Sequence, residues 1–305
     1  MLGAPRMVVI AINARGKLWS HADRDPDGLR RALEALAPGR PVPILVHGFR
    51  YAPGAARDDP HRLILSPGPV RARGVPSWPR HLGFRGQAGE GLCIGFGWPA
   101  RGTIWQARAE AARAGLALAA LIRRIAVLSP GRRVTVMAHS LGARVVMAAL
   151  PALGPGDLAR AVLLYPALMR AEVARALAGP AAARVEIVNV TSRENLFFDL
   201  GNQILFSAGL DRSAGRGLRG AHPGWIDLPI DEPAQIAQLA REGFAVAGPQ
   251  RRICHWSAYL RPGLFALYRA LIASHPALAL DRLALPHRAD VNGLRDCMAP
   301  GFAVN

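Results

Sequence analysis

The sequence predicts an α/β protein built on a doubly wound, mostly parallel sheet. Two observations carry this. Short unbroken apolar runs alternate with segments of helical periodicity, and one such run passes through a single serine straight into a helix. Continuous apolar runs are the signature of strands covered on both faces, and helices between them supply the cover.

The elements follow in order. Met7–Ile12 is a first strand, ended by the polar Asn13 and Arg15. Asp25-Pro26-Asp27 then opens a helix that places Leu29, Leu33 and Leu36 on one face. A second strand, Pro41–Val46, stops abruptly at His47-Gly48-Phe49. From Tyr51 to Glu90 the pattern dissolves, because Pro53, Pro60, Pro67, Pro69, Pro76 and Pro79 break any helix. This proline/glycine-rich insertion, residues 51–90, is expected to be a lid-like loop. Leu92–Gly97 is a third strand, followed by a long alanine- and leucine-rich helix from Ile104 to Leu128 that Pro130-Gly131 terminates. Val134–Ala138 is a fourth strand, and a helix over Leu141–Leu150 follows it with no loop between. Ala161–Tyr165 and Val185–Val190 are further strands, and Trp225–Ile230 a last one, which Pro229 confines to a sheet edge. His255–Ile272 reads as a terminal helix bent or delayed by Pro262, and the tail after Pro286 is weakly patterned. A chain of 305 residues with this pattern is expected to form one domain over 1–305, with 51–90 as its insertion.

Bulk composition excludes several classes. With 51% hydrophobic and 19% charged residues the chain is globular. Its net charge of +17 invites a nucleic-acid partner, but Lys17 is the single lysine and the arginines are scattered without a basic run. No nucleic-acid partner is therefore expected. Cys93, Cys254 and Cys297 lack metal-ligand spacing, which suits reduced thiols in a cytoplasmic protein. No apolar run is long enough for a transmembrane segment, and oligomeric state is left open.

The chemistry concentrates at Ala138-His139-Ser140-Leu141-Gly142, on the strand-to-helix junction. A serine on so sharp a turn needs small neighbours, and the turn lifts its hydroxyl clear of the sheet. The pattern departs from Gly-x-Ser-x-Gly at Ala138, which is still small; the alternative role for Ser140 is a helix cap. His47-Gly48-Phe49 lies upstream, where backbone amides can face charge developing on a carbonyl oxygen. The amides of Phe49 and Leu141 are the expected oxyanion-hole donors.

On these residues the chain resembles the α/β-hydrolase superfamily, and in particular its poorly characterised bacterial serine hydrolases, over roughly Pro41 to Ile272. The resemblance implies a Ser–acid–His order, an acyl-enzyme intermediate and hydrolysis of a small carboxylic ester or thioester, without metal or other cofactor. Ser140 is then the nucleophile. The base is a late histidine: His255, before an apolar helical stretch, is preferred to His222, His275 and His287. The acid belongs to the loop after Val185–Val190, where Glu194 is favoured, Asp199 is the alternative, and Asn195 could stand in the acid's place. Other outcomes implied by the same fold are a catalytically silent binding protein and an acyltransferase. His61 and His81 are read as loop surface. Trp78, Phe84, Phe96 and Trp98 either line an acyl pocket or pack the insertion onto the sheet, and Arg50 could meet an anionic substrate group.

Overall fold

The computed structural model describes residues 9–284 apart from 24, 71–74, 88, 219–221 and 276–277. Met7 and Val8 of the expected first strand, His287, Cys297 and the tail after Pro286 lie outside the described residues.

Eight strands form one sheet among the described residues: β1 (Val9–Arg15), β2 (Leu18–His21), β3 (Val42–Val46), β4 (Cys93–Gly97), β5 (Val134–His139), β6 (Arg160–Leu164), β7 (Glu186–Thr191) and β8 (Trp225–Pro229). Their order is β2-β1-β4-β3-β5-β6-β7-β8, with β1–β2 antiparallel and every other pairing parallel. The helices are α1 (Gly28–Glu34), α2 (Trp78–His81), α3 (Ile104–Leu128), α4 (Gly142–Ala149), α5 (Arg170–Leu177), α6 (Leu196–Ser207), α7 (Pro233–Arg241), α8 (Ser257–Leu260), α9 (Leu264–Ile272) and α10 (Leu280–Leu283).

Side chains alternate between two cores, as the two-residue period of a strand requires. Ile44, Val46, Val136 and Ala138 face a core shared with α3 and α4. Leu45 and Met137 face the opposite core, which takes in Leu264, Leu267 and Leu271 of α9. Both faces of the central strands are therefore dry, which is why those strands read as unbroken apolar runs.

The register sets the site. Ala138 pairs with Val46, His139 with Leu164, and Leu164 with Val190, so the carboxyl ends of β3, β5, β6 and β7 finish side by side. Their following loops, His47–Tyr51, Ser140, Tyr165–Ala167 and Ser192–Asn195, converge on one edge of the sheet, the usual ligand edge of an open α/β sheet.

Four features depart from the expected elements. β1 continues to Arg15 and turns at Gly16 (φ +59°) into β2. Its outer part is covered only on alternate residues, so Asn13 and Arg15 are tolerated. The terminal helix is two helices, α8 and α9, parted at Arg261-Pro262-Gly263. Helices α5, α6 and α7 occupy stretches in which the sequence pattern predicts no element. Finally, described parts of the 51–90 segment are packed down: Ile64, Leu65, Trp78 and Leu82 are buried against the α9 side of the sheet. Of its histidines, His61 lies 2.7 Å from Asn13 Oδ1 through Nε2, and His81 stacks on Phe265.

Candidate active site

Ser140 follows β5 and precedes α4 in the left-handed region, at φ 53°. A non-glycine residue there is uncommon and costs about 1–3 kcal/mol, which surrounding contacts must offset. Here its N–H donates to Leu164 O (2.9 Å) and its carbonyl accepts from Ala167 N (3.1 Å). The turn leaves no room beneath it. A Cβ on Gly142 would stand 2.5 Å from His47 O, and one on Gly48 would stand 3.0 Å from His139 O. Ala138 fills the remaining small position and is fully buried. Arg50 (φ 83°) and Tyr165 (φ 46°) share this backbone region, so three such residues sit around one cavity.

His255 lies beside the serine, its Nε2 2.8 Å from Ser140 Oγ. On its other side the Nδ1 is 2.7 Å from Asn195 Oδ1. An amide oxygen only accepts, so Nδ1 carries the proton and Nε2 presents its lone pair to the serine hydroxyl. Asn195 also favours the charged form of the neighbouring Asp199 carboxylate, as an amide N–H on that side would. Asp199 in turn accepts from Ser213 Oγ at 2.8 Å. Ser140, His255 and Asn195 thus form one hydrogen-bonded chain, with Asp199 beside its far end.

Burial sets the charge state of this chain. Desolvation against Phe198, whose ring stacks on His255 at 4.5 Å, lowers the imidazole from 6.5 to about 4. His255 is therefore neutral around pH 7. Asp199 moves the other way, up to about 6, chiefly by desolvation; hydrogen bonds from Ser213 and Asn195 and the charge of Arg216 oppose the rise.

The expected acid, Glu194, is not at the histidine. Residues 193–195 form a helical turn capped by Ser192, and adjacent residues on such a turn point in different directions. Asn195 faces His255, while Glu194 turns inward to pair with the buried Arg261. Its other oxygen accepts from Arg251 N (3.1 Å), and its carbonyl accepts from Cys254 N (2.9 Å). Glu194 thus touches the backbone that leads to His255 and leaves the imidazole alone. The alternative, Asp199, reaches the histidine only through Asn195.

The loop after β3 is fixed by a histidine the sequence singled out only as part of a motif. His47 Nε2 accepts from Trp98 N (3.0 Å), and its Nδ1 donates to Gly48 O (2.8 Å). Trp98 Nε1 returns a bond to His47 O (2.8 Å), with the two rings stacked. Burial holds His47 neutral, its pKa lowered to about 3. This clamp places Phe49 beside the serine. Among the described residues no turn or loop hydrogen bond engages the Phe49 or Leu141 N–H. His139, next to Ser140, is a second residue whose placement the sequence did not reveal. It is buried and donates from Nε2 to the His255 carbonyl (3.0 Å), holding His255 from behind.

The cavity over this chain measures about 440 Å³ and takes its walls from Phe49–Tyr51, Ile104, Tyr165–Ala167, α6 and His255–Tyr259. Of the described residues among 51–90, only Tyr51 reaches it. Trp78, Phe96 and Trp98 are fully buried and Phe84 packs on the α9-side core, so these aromatics secure the insertion and the sheet and do not line the cavity. Arg50 does line it. His222 accepts from Gly224 N, and His275 meets the Phe244 ring edge-on, both away from the cavity lining. Among the described residues, no three His, Cys, Asp or Glu side chains gather as a metal-binding group. No helix among them is long and apolar enough to cross a membrane.

A mostly parallel sheet with helices on both faces, carrying a serine on a strained strand-to-helix turn, is the architecture of the α/β-hydrolase fold. Residues 38–174, just under half of the chain, match a family described as alpha/beta hydrolase of unknown function (DUF900). That stretch runs from β3 past the Ser140 turn to α5 and leaves Asn195, Asp199 and His255 beyond its end. No curated protein matches the chain.

Proposed function

We propose that the protein is a serine hydrolase that cleaves carboxylic esters or thioesters through an acyl-enzyme. The observation that carries this is the 2.8 Å contact between Ser140 Oγ, raised on its left-handed turn, and the unprotonated Nε2 of His255. In this account His255 takes the serine proton as Oγ attacks the acyl carbon. The carbonyl oxygen gains charge facing the Phe49 and Leu141 amides. His255 then gives the proton to the leaving alcohol or thiol, and water attacks the acyl-serine by the same route. The neutral Asn195 takes the orienting place of a carboxylate, and Asp199 supplies the negative charge one residue further out. Selectivity for the acyl group falls to the apolar walls from α6 and Trp256, rather than to the 51–90 insertion. The buried free thiols Cys93 and Cys254 support a cytoplasmic location.

The experiment is hydrolysis of p-nitrophenyl esters and acyl thioesters of graded chain length by wild type and Ser140→Ala. The expected result is turnover by the wild type that falls by about three orders of magnitude or more in the variant. Asn195 also favours a second reading, a fold retained for binding alone. That reading expects no wild-type turnover and unchanged affinity for an acyl ligand in Ser140→Ala.

A further inference from the structure

Helix α6 is built inside out. Its buried residues are the polar Asp199, Asn202 and Gln203. Its outward face carries Phe197 (68% exposed), Leu200 (40%), Ile204 (69%) and Leu205 (51%), and Leu210 just beyond the helix is 93% exposed. A helix on a soluble domain normally turns its apolar stripe to the core. Here the inward face serves the hydrogen-bonded chain of the active site, through Asp199, and the apolar face is left outside. The exposed Ile253 and Trp256 extend this surface on the strand of chain that delivers His255. The cavity opens through it, since Phe197, Phe198, Leu205 and Trp256 belong both to the cavity wall and to the exposed surface.

Charge at the margin says what this surface meets. Arg251 and Arg252 immediately precede Ile253, Arg212 lies two residues after Leu210, and Arg50 stands at the cavity wall. None of the four has a carboxylate within ion-pair distance among the described residues. The nearby Asp211 is turned to the Ala171 amide, and the whole chain carries +17. An apolar helix face edged by unpaired cations suits the boundary between acyl chains and acidic headgroups, where both parts are satisfied together.

We propose that α6 and the Ile253–Trp256 rim dock on a lipid bilayer bearing anionic headgroups. The acyl substrate then enters the cavity from that bilayer. Docking is independent of the chemistry, whereas this delivery role rests on the hydrolase proposal.

The test is co-sedimentation of the full chain with phosphatidylcholine vesicles, with and without a substantial fraction of phosphatidylglycerol. It compares wild type, Ser140→Ala and the triple variant Leu200→Gln/Ile204→Gln/Leu210→Gln. The three altered side chains are exposed and lie off the cavity wall, and a thermal melt checks that the variant is folded. The expected result is binding to the anionic vesicles that weakens with added salt, equal in wild type and Ser140→Ala, and reduced about tenfold or more in the triple variant. Equal binding by Ser140→Ala keeps docking separate from failure of the hydrolase proposal. Docking is overturned by absent binding, by equal binding to the neutral vesicles, or by undiminished binding of the triple variant. It is also overturned if wild type sediments as a dimer that the triple variant dissociates and neither binds vesicles, because a second copy then covers the face.

Discussion

Replacing Asp199 by Asn separates the energetic load of the site from its chemistry. Asp199 is 2% exposed, and burial raises its carboxyl from 3.8 to about 6. A carboxyl whose pKa rises on folding holds its proton more tightly when folded, so ionising it draws on stability. The load is absent below the unfolded value, grows as pH rises through about 6, and is constant above that. A rise of about two units corresponds to about 3 kcal/mol at neutral pH. A neutral amide at 199 escapes this load. The stability of Asp199→Asn relative to wild type should therefore improve by about 2–2.5 kcal/mol between about pH 4 and pH 8. Any hydrogen bond lost in the exchange is nearly independent of pH and cancels in that comparison. His255 contributes in the opposite sense, since its lowered pKa removes stability as pH falls from 6.5 towards about 4. It is present in both proteins and also cancels. Urea unfolding at the two pH values, with unchanged slopes, gives the difference. A difference that does not change with pH, or that changes with the opposite sign, refutes the account of Asp199 as a buried, ionised group. The stabilised variant should also be slower by about tenfold to hundredfold near pH 8, because Asn195 loses the charge that orients it.

Asn195→Asp places a carboxylate directly on His255 and should raise the acid limb of the kcat/KM profile by about one to two pH units; an unmoved limb contradicts the Asn195 contact. Glu194→Ala leaves Arg261 buried without its partner and should destabilise by about 3–5 kcal/mol in chemical denaturation, while a loss within 1 kcal/mol or so argues against the pair. Gly142→Ala drives a Cβ against His47 O, so it should lower both stability, by about 1–3 kcal/mol, and labelling of Ser140; a variant as stable and reactive as wild type would show the turn to be looser than described.

What the sequence revealed follows from where local rules and tertiary contacts agree. The strands from Val42 to Thr191 are covered on both faces, so their apolar runs stand out, and the Ser140 turn combines strand, small residues and helix within a few positions. Helix α3 was legible because its alanine- and leucine-rich run is long and Pro130-Gly131 stops it; in the structure Thr103 caps its start. Helix α6 was hidden because its pattern is reversed, with Asp199, Asn202 and Gln203 inward, so that periodicity points to the wrong face. The sequence favours Glu194 over Asn195 for a related reason. Distance along the chain brings Glu194 and Asn195 equally near His255, and only the direction of each side chain on the 193–195 turn decides between them. The pairing of Glu194 with Arg261 joins residues far apart in sequence, with no local pattern to announce it. His139 and His47 carry no signal of their own either, since their partners, the His255 carbonyl and Trp98, are set by the fold.

The central claim is that Ser140 is an activated nucleophile. Its most direct test is reaction of the folded protein with a fluorophosphonate, read by intact mass and by peptide mapping. The account predicts a single adduct on Ser140, absent in Ser140→Ala and slowed by about two orders of magnitude or more in His255→Ala. No adduct on the folded wild type, or one that forms as fast without His255, would contradict it.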